Sequence, residues 1–584
     1  MILNNKLNFI LSFILSLLNL IVLGVLFWSC DRGFDLSDES YYYLGYLFYD
    51  NNPDLHPAAF HMIFNRFSFN AYFTLIEIRI IRLILTVLAS VVLFFGTKSI
   101  LRCSSTAEKI NLFNVVLCGM LLSYTWAPIT LSYNTMSSIL IALIVGFWFF
   151  LFSRQQVYSK AFLAFILGGL FSILFFVKIT NVLLLPILIG ITLYQASVKG
   201  LLKNRKPKFV LYYLLSFILG IYVFLAIISN EINLITIYQT IYSHIQESFG
   251  MLANDATHST SYLLTRYYEN AKMILNKLKY PLAFLTIFYF LLHFFWAKIK
   301  LKKIINSNIL FKVIGIITLL LFIIQNSYWR GGTKVTYTML IPYIFIGIFT
   351  YFNRRLETKN TGVVIILGLL SIPISGAVGT NNGLSAQILF YGAFIFLAIY
   401  YMVSYSKNNY YKSIILLIIV GLGASQIVYA AILYPYRQPS LTKSTHLLKD
   451  VATLGPLKVD STLVHLKKEL VFLEHIDSYY IFTYSPQRGM VLFTHKKPFS
   501  LEWFHENATE KICAIINKSK IDSEDIIFLL PLQAPLQKEV IQCMEQNGIF
   551  FEKNYSLAKS IAYYDQYYKK EIQLNIYIFS KKTH

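Results

Sequence analysis

The sequence predicts a polytopic membrane protein: an all-helical transmembrane bundle followed by a small α/β domain. Of its 584 residues, 56% are hydrophobic and only 14% are charged, whereas soluble domains carry roughly a quarter charged residues. The mean hydropathy is +0.57, and a soluble core of this size would exceed what single domains build. The composition therefore excludes a disordered chain, a secreted soluble protein and a disulfide scaffold.

Apolar stretches long enough to cross a bilayer recur through the first three quarters of the chain. We predict thirteen spans, near 7–28, 74–97, 110–125, 134–152, 161–177, 181–196, 209–229, 280–297, 309–325, 337–352, 361–378, 386–403 and 413–434. No small-residue cleavage site follows the first stretch, so we expect it to remain as a helix. Residues 1–434 are accordingly predicted to form the transmembrane domain.

The net charge of +22 reflects membrane topology and does not indicate a nucleic-acid partner. Residues 1–434 hold 32 Lys/Arg against 13 Asp/Glu, whereas residues 435–584 hold 19 against 16. Alternate loops of the first part hold 20 basic residues on one side and 9 on the other. Because cytoplasmic loops carry the basic excess, the N-terminus is predicted to be cytoplasmic. An odd number of spans then places the C-terminal domain outside, in the periplasm if the membrane is a bacterial inner membrane.

The C-terminal part, 435–584, begins where Pro435 and Pro439 interrupt the last apolar stretch. Helical spacing within it alternates with short apolar runs that are typical of strands. The predicted strands lie at 480–482, 490–493, 526–529 and 576–579, and the predicted helices at 461–474, 506–518 and 535–546. This alternation predicts a soluble α/β domain.

The first outside loop, 29–72, is the most informative part of the sequence. It holds six of the thirteen acids of the membrane half, namely Asp31, Asp35, Asp38, Glu39, Asp50 and Asp54. A structural explanation exists: Ser37 can cap a helix whose first turn carries Asp38 and Glu39, and Pro57 can open another. Carboxylates beside a membrane surface can also meet a lipid-bound substrate. Asp38, Glu39 and Asp54 are therefore the candidate catalytic acids.

At these residues the chain resembles a known group of enzymes. A cytoplasmic first helix end, then Asp38-Glu39, then Asp54-Leu55-His56-Pro57 resembles the polyprenyl-phosphate-dependent glycosyltransferases of the GT-C type. Protein O-mannosyltransferases and lipid A aminoarabinose transferases belong to that group. The mannosyltransferase branch carries Asp-x-His-Pro-Pro, and here Ala58 replaces the second proline, which speaks against mannosyl transfer onto protein. The resemblance implies that Asp38 is the catalytic or acceptor-contacting acid, and the predicted topology matches the aminoarabinose transferases.

Sugar transfer from a polyprenyl phosphate explains why acids would be needed in this loop. A base must take the proton of the acceptor, and cations must stabilise the departing phosphate. Asp38 is the candidate base, and Asp54 would orient the acceptor or help to hold a divalent cation. His56 is assigned to the substrate site, with a helix-start role as the alternative. The sequence leaves the metal requirement open.

Cations near the outer face are few, and each is a candidate for binding the donor phosphate. Arg79 and Arg82 lie three residues apart near the outer end of the second span, where snorkelling to headgroups is the preferred explanation for one of them. Lys178 interrupts an apolar run, and such charges are expensive and commonly functional. Arg330 and Lys334 flank a Gly-Gly pair in a short outside loop.

Polar residues at two outer turns are candidates for binding sugar hydroxyls. Tyr133 and Asn134 open a span, and Asn381 lies in a Gly-Thr-Asn-Asn-Gly turn. Turn and cap chemistry explains them as well. The loop at 230–279 is too long for a plain connector, and we expect an interfacial helix and a lid there.

The predicted function is a GT-C-type membrane glycosyltransferase acting on the periplasmic face. It would move a sugar from a polyprenyl-phosphate donor to a lipid-linked glycan, lipopolysaccharide or protein, with inversion expected if one carboxylate activates the acceptor. No glycine-rich phosphate motif and no CxxC is present, so neither a nucleotide nor a zinc or redox site is predicted. An O-antigen polymerase or ligase would centre on arginines in large outside loops, and a lipid or polysaccharide transporter would carry mid-span charges and repeated halves.

Overall fold

A computed structural model gives the fold of most of the chain. The residues that the structure describes are 2–49, 61, 63–64, 73–101, 105–151, 157–199, 207–230, 232–242, 245, 265, 268–269, 272, 361–378, 383–404, 409–448, 451–519 and 521–580. Helices dominate up to residue 433, and strands with short helices follow. The two-part architecture predicted from the sequence is confirmed at this level.

The first part of the chain is a series of apolar helices. They are α1 (Ile2–Ser29), α2 (Asp38–Phe48), α3 (Leu75–Ile100), α4 (Thr106–Leu121), α5 (Tyr133–Leu151), α6 (Val157–Val177), α7 (Leu184–Lys199), α8 (Pro207–Ser229), α9 (Thr361–Ala377), α10 (Gly383–Phe390), α11 (Gly392–Ser404) and α12 (Asn409–Leu433). Short 3-10 turns at Leu122–Thr125 and Ile179–Leu183 follow α4 and precede α7.

Six helices among the described residues are long and apolar enough to cross a membrane. They are Asn8–Ser29, Leu75–Ile100, Tyr133–Leu151, Lys160–Val177, Leu211–Ser229 and Lys412–Leu433. Apolar helices at Ile179–Thr192, Val364–Gly376 and Gly392–Ser404 are shorter. The predicted spans at 280–297, 309–325 and 337–352 lie outside the described residues, so the total of thirteen stays a prediction.

The chain divides into two compact units that do not follow sequence order. The helical unit comprises Met1–Gly24, Ile84–Trp126 and Tyr133–Ala430, and the mixed unit comprises Val25–Leu83, Ala127–Ser132 and Ala431–His584. The described residues between α1 and α3, which the sequence predicts to form part of an outside loop, therefore belong to the same unit as the tail. The domain boundaries predicted from the sequence, 1–434 and 435–584, stay a prediction.

The helical unit packs by close backbone approach and by polar pairs between helices. Gly168 of α6 and Gly220 of α8 each lie directly against the backbone of the other helix, where any side chain would collide. Asn19 Nδ2 of α1 donates to Asn114 Oδ1 of α4 at 2.9 Å. In a lipid bilayer the hydrophobic effect does not drive helices together. Close contacts at small residues and hydrogen bonds between amide side chains hold the helices together instead.

The tail of the mixed unit forms a five-stranded mixed sheet in the order β4-β3-β5-β7-β6. Its strands are β3 (Tyr480–Thr483), β4 (Lys497–Pro498), β5 (Ile526–Pro531), β6 (Tyr555–Asp565) and β7 (Lys570–Phe579), and a separate hairpin pairs β1 (His446–Leu448) with β2 (Leu457–Val459). Strand β3 runs parallel to β4 and β5, whereas β7 is antiparallel to β5 and β6. Helices α13 (Ser461–Leu470), α14 (Thr509–Lys518), α15 (Lys538–Gln546) and α16 (Phe551–Asn554) complete the fold.

Three of the four predicted strands are observed, and one prediction was wrong. The run at 490–493 belongs to a 3-10 helix, Ser485–Phe493, with Pro486 in its first turn. Every residue of that helix is buried, and a short apolar run buried on all sides has no period that separates strand from helix. The three predicted helices are observed as α13, α14 and α15 with shorter bounds.

An aromatic core joins the sheet to its helices. Phe482 of β3 and Phe528 of β5 lie with ring centroids 5.3 Å apart, and Tyr555 packs edge-on against Phe528 at 4.9 Å. Ile512 and Ile516 of α14 close the same cluster. The described cysteines, Cys30, Cys118, Cys513 and Cys543, are free thiols.

Candidate active site

The first outside loop is held in the mixed unit by backbone pairing with the tail. Gly33 N donates to Lys458 O, and Lys458 N donates to Asp31 O, both at 2.8 Å. The ammonium group of Lys458 lies 2.9 Å from Asp31 Oδ2. The start of the loop is thereby fixed against β2, and the acids that follow it have defined positions.

Asp35 caps the N-terminus of α2. Its carboxylate accepts from Ser37 N at 2.9 Å, from Ser37 Oγ at 2.6 Å and from Glu39 N at 3.1 Å. Ser37 occupies the N-cap position, as the sequence suggested, but its side chain makes no cap bond to the helix. The side chain of Asp35, two residues earlier, makes the cap bond instead, because its oxygens accept from an N–H group that has no partner within the helix.

Glu39 and Arg79 form a fully buried, bidentate ion pair. Arg79 Nε donates to Glu39 Oε1 at 2.9 Å and Nη2 donates to Oε2 at 2.6 Å, with neither side chain exposed. The remaining three N–H groups of Arg79 donate to the carbonyls of Cys30, Arg32 and Gly33 at 2.9–3.0 Å. All five donors of the guanidinium are thus used. This pair ties the start of α3 to both the loop and α2.

Arg82 is also completely buried, in the same unit. Its Nη1 donates to the backbone carbonyl of Pro128 and, at 3.4 Å, to that of Thr130. Thr130 N in turn donates to Glu39 Oε1 at 3.2 Å. Neither Arg79 nor Arg82 is exposed, so the snorkelling proposed for one of them is wrong: carbonyls and Glu39 attract both side chains inward.

Asp38 faces a different set of partners. Arg437 Nη1 donates to Asp38 Oδ1 at 2.6 Å, and Tyr436 Oη donates to Oδ2 at 2.5 Å. The Asp38 side chain keeps 23% of its surface exposed and that of Arg437 keeps 27%. Each carboxylate oxygen still has a lone pair for another donor. Of the adjacent acids Asp38 and Glu39, only Asp38 is therefore open to a substrate.

Arg437 is positioned by strain and by aromatic rings. It has a positive φ of 51°, a conformation that non-glycine residues rarely adopt and that recurs at functional sites. Its guanidinium lies 4.8 Å from the ring of Tyr436 and 4.4 Å from that of Tyr567. Cation–π contacts of this kind add to the attraction of the carboxylate.

The charges of this cluster are coupled. Burial and, to a smaller extent, the charge of Asp38 raise the pKa of Asp35, and Arg437 opposes both, so that the pKa lies at about 7. For Arg437, burial lowers the pKa, but the carboxylates of Asp38 and Asp35 outweigh burial and leave it above its ordinary value. The pKa of Asp35 therefore depends on the charges of both Asp38 and Arg437.

In the helical unit, Lys178 lies among buried polar groups. Its ammonium donates to the carbonyl of Gly376, and the lysine side chain is buried. Nearby in sequence, Asn181 Nδ2 donates to Ser137 Oγ, which lies 3.1 Å from Tyr391 Oη. This network joins α5, α9 and the turn that carries Lys178.

Tyr133 and Asn134 begin α5, one turn before Ser137. Asn134 is buried, whereas Tyr133 is partly buried. Within the part of the chain that the structure describes, Asn134 Oδ1, Asn181 Oδ1 and both amide atoms of Gln387 are buried without a hydrogen-bond partner. Burying such groups without a partner costs free energy, so a polar ligand or a water molecule bound in this part of the helical unit would be stabilised by hydrogen bonds to them.

Several predicted site residues lie outside the described residues. These are Asp54, His56, Arg330, Lys334, Asn381 and most of the loop at 230–279. Among the described residues no group of three or more His, Cys, Asp and Glu side chains is arranged to hold a metal ion.

Sequence reasoning missed three residues of the cluster at Asp38. Asp35 was counted among the acids of the loop but given no role, and Tyr436 and Arg437, which lie between the two prolines that mark the exit from the last span, were not singled out. One signal was present: Arg437 is the first basic residue after the last span and stands between two prolines in Pro435-Tyr436-Arg437-Gln438-Pro439. A lone cation at a membrane exit, in a chain whose first loop is acidic, is a candidate partner for that loop.

Comparison with known proteins finds similarity to a solved structure at low sequence identity. No protein-family model matches the sequence, and no curated protein matches it. Among solved structures, the chain is similar to an oligosaccharyltransferase of Archaeoglobus fulgidus, described as a complex with Zn and sulfate. The similarity has 11% identity and a TM-score of 0.47, and it covers 98% of this chain and 73% of that one. The residues of the site, and not these comparisons, carry the functional conclusion.

Proposed function

We propose that this protein is a membrane glycosyltransferase of the GT-C type. It takes a sugar from a polyprenyl-phosphate donor and passes it to a lipid-linked glycan, lipopolysaccharide or protein on the periplasmic side of a bacterial inner membrane. The apolar helices supply the membrane part, and the Asp38-Glu39 pair supplies the resemblance to this class.

The main support for the proposal is that two adjacent acids, Asp38 and Glu39, differ in exposure and in hydrogen-bond partners. Glu39 is sealed by Arg79, with both side chains fully buried. Asp38 is partly exposed and keeps acceptor capacity beside its two partners. One carboxylate is thus an anchor, and the other is a base that can meet an acceptor hydroxyl.

In the proposed reaction, an acceptor hydroxyl donates to Asp38 while its oxygen attacks the anomeric carbon of the donor sugar. The bond from that carbon to the phosphate oxygen breaks, its electron pair leaves with the polyprenyl phosphate, and the acceptor proton passes to Asp38. A single carboxylate that forms no sugar adduct leads to inversion. Arg437 and Tyr436 hold the Asp38 side chain in one orientation before the reaction.

The charge on the departing phosphate needs a cation. Lys178, Arg330 and Lys334 are the proposed candidates. Lys178 is supported by its surroundings, since its ammonium is buried and meets a backbone carbonyl instead of a carboxylate. An anionic headgroup would compensate that charge better than a carbonyl does.

The test is transfer by the full chain in membrane vesicles, with radiolabelled polyprenyl-phosphate sugars screened as donors. Asp38→Asn should lower transfer by about 10²–10⁴-fold, the usual cost of losing a general base, with normal membrane insertion. Asp31→Asn is the matched control: it removes an acid of the same loop whose partners are the adjacent Arg32 and the partly exposed Lys458. Full activity of Asp38→Asn at parental expression would contradict the proposal.

A further inference from the structure

A wide cleft in the mixed unit lies beside the exit of the last span. Its volume is about 890 Å³, within the size range of ligand-binding sites. The residues that line it come from the end of α12, the segment after it, the β1–β2 hairpin with the start of α13, and β6: they are Leu433, Tyr434, Pro439, Ser440, Lys443, His446, Asp460, Ser461, Thr462, Tyr564 and Gln566.

The cleft leads towards the cluster at Asp38. A small cavity of about 20 Å³ adjoins it and is lined by Asp35, Ser37 and Arg437. Pro439, Asp460, Thr462, Tyr564 and Gln566 line both spaces. An occupant of the cleft therefore has one end near the arginine that holds the candidate base.

The charge of the cleft favours an anion. Lys443 and His446 are exposed and form no ion pair among the described residues. Asp460, the acid that lines the cleft, is buried, and its carboxylate accepts from Thr462 N at 2.8 Å and from Leu463 N at 3.3 Å. Because the N-terminus of α13 already compensates that carboxylate, the available charge in the cleft is positive.

Two exposed tyrosine rings add a surface suited to carbohydrate. Tyr434 is 48% exposed and Tyr564 is 42% exposed. Aromatic rings offer a flat apolar face with a polar end, and the C–H face of a sugar ring packs on such a surface. Ser440, Ser461 and Thr462 also line the cleft, and their hydroxyls supply hydrogen-bonding groups.

We infer that this cleft binds the acceptor, and that the acceptor is a carbohydrate carrying carboxylate or phosphate groups. The inference rests on the proposed function and names the substrate class of the same site. The cleft begins where the last apolar helix ends, at Leu433. An acceptor anchored in the membrane would therefore present its sugars to the cleft as they leave the bilayer.

The first experiment measures binding to the purified full chain in detergent by thermophoresis. The probe is a heptameric oligogalacturonate, with neutral maltoheptaose and a glutamate heptapeptide as comparison ligands. The parent should bind the oligogalacturonate, and a variant carrying Lys443→Gln and His446→Gln should bind it about tenfold more weakly, as expected for about 1.4 kcal/mol. Tyr564→Ala should weaken the binding of both the oligogalacturonate and maltoheptaose.

Matched controls lie elsewhere on the same unit. Lys538→Gln removes an exposed lysine of α15, and Tyr479→Ala removes an exposed tyrosine next to β3; both should bind like the parent. Equal binding by the parent and the charge variant, no binding by the parent, or equally tight binding of the glutamate peptide would each overturn the inference.

The second experiment separates this inference from the proposed function. Asp38→Asn should abolish transfer yet bind oligogalacturonate normally. If no donor supports transfer but the cleft variants lose binding, the proposed function fails and the cleft stands. If transfer occurs and the cleft variants keep the parental KM for acceptor, the cleft fails and the proposed function stands.

Discussion

Replacing Glu39 by Gln tests whether this acid is an anchor. The substitution keeps the size of the side chain and one of its acceptor oxygens. It also removes the negative charge that compensates Arg79. The amide NH₂ of Gln would lie where a carboxylate oxygen now accepts from Arg79, and two donors cannot form a hydrogen bond with each other. Since both side chains are completely buried, no water can take over the lost interaction.

The size of the effect follows from this geometry. Removing one partner of a buried ion pair destabilises proteins by about 3–5 kcal/mol, mainly because the other charge stays buried without compensation. Three carbonyls continue to accept from Arg79, so the lower end of that range applies, about 3 kcal/mol. Asp38→Asn should cost at most about 1 kcal/mol, because its pair with Arg437 is partly exposed and such pairs contribute little.

The assay is chemical unfolding of both variants in one detergent, followed by tryptophan fluorescence, with transfer activity measured on the same preparations. Asp38→Asn should be stable and inactive, and Glu39→Gln should be unstable in proportion to its loss of activity. A double variant with Arg79→Met should lose less stability than the sum of the single changes, by about 0.5–3 kcal/mol. Parental stability of Glu39→Gln would refute the anchoring role, and additive effects in the double variant would refute the direct pairing.

Three further predictions concern topology, the donor and pH. Single cysteines placed at 38 and at the exposed position 461, in a chain freed of its five native cysteines, should react with a membrane-impermeant reagent from the same side, and labelling from opposite sides would contradict the predicted topology. Lys178→Gln should raise the donor concentration needed for half-maximal transfer and also lower kcat, because the proposed cation stabilises the departing phosphate; an unchanged donor dependence would place the phosphate elsewhere. Because burial raises the pKa of Asp35 to about 7 from 3.8, the folded state holds a proton that the unfolded chain releases, so this group's stabilising contribution is present below about pH 4 and lost as pH rises to about 7. Asp35→Asn, which cannot titrate, should flatten the pH dependence of the unfolding midpoint between pH 4 and pH 8, and an unchanged profile would contradict the raised pKa.

The sequence predicted the helices and the α/β tail because their signals are local. Stretches such as 209–229 are apolar over the length of a bilayer, and β3 and β5 are short β-branched and aromatic runs bounded by turns. The 3-10 helix at Ser485–Phe493 was mistaken for a strand because complete burial removed its period. The two-unit division was not predictable in this way, since it depends on pairing between residues such as Gly33 and Lys458, more than four hundred positions apart in the chain.

The same distinction applies to the candidate site. Asp38 and Glu39 could be selected from their position after the first span, and the expectation that they face different ways follows from helical geometry. Their partners could not be assigned: Arg79 was a candidate for the donor phosphate, yet it pairs with Glu39. Arg437 received no role, because nothing local to its sequence links it to an acid 399 positions earlier.

Helix geometry explains how two neighbouring acids come to have opposite roles. Successive residues of an α-helix point about 100° apart, so Asp38 and Glu39 in the first turn of α2 cannot share one partner. Glu39 pairs with Arg79 and so fixes α2 to α3, while Asp35 accepts a hydrogen bond from Glu39 N and so fixes the N-terminus of α2. With α2 held at both points, the direction of Asp38 is set by the backbone before any substrate arrives, and its partners Arg437 and Tyr436 limit its rotation. Such support is what a general base requires, so the buried acids Asp35 and Glu39 contribute to the proposed chemistry through the position of Asp38 and not by touching the substrate.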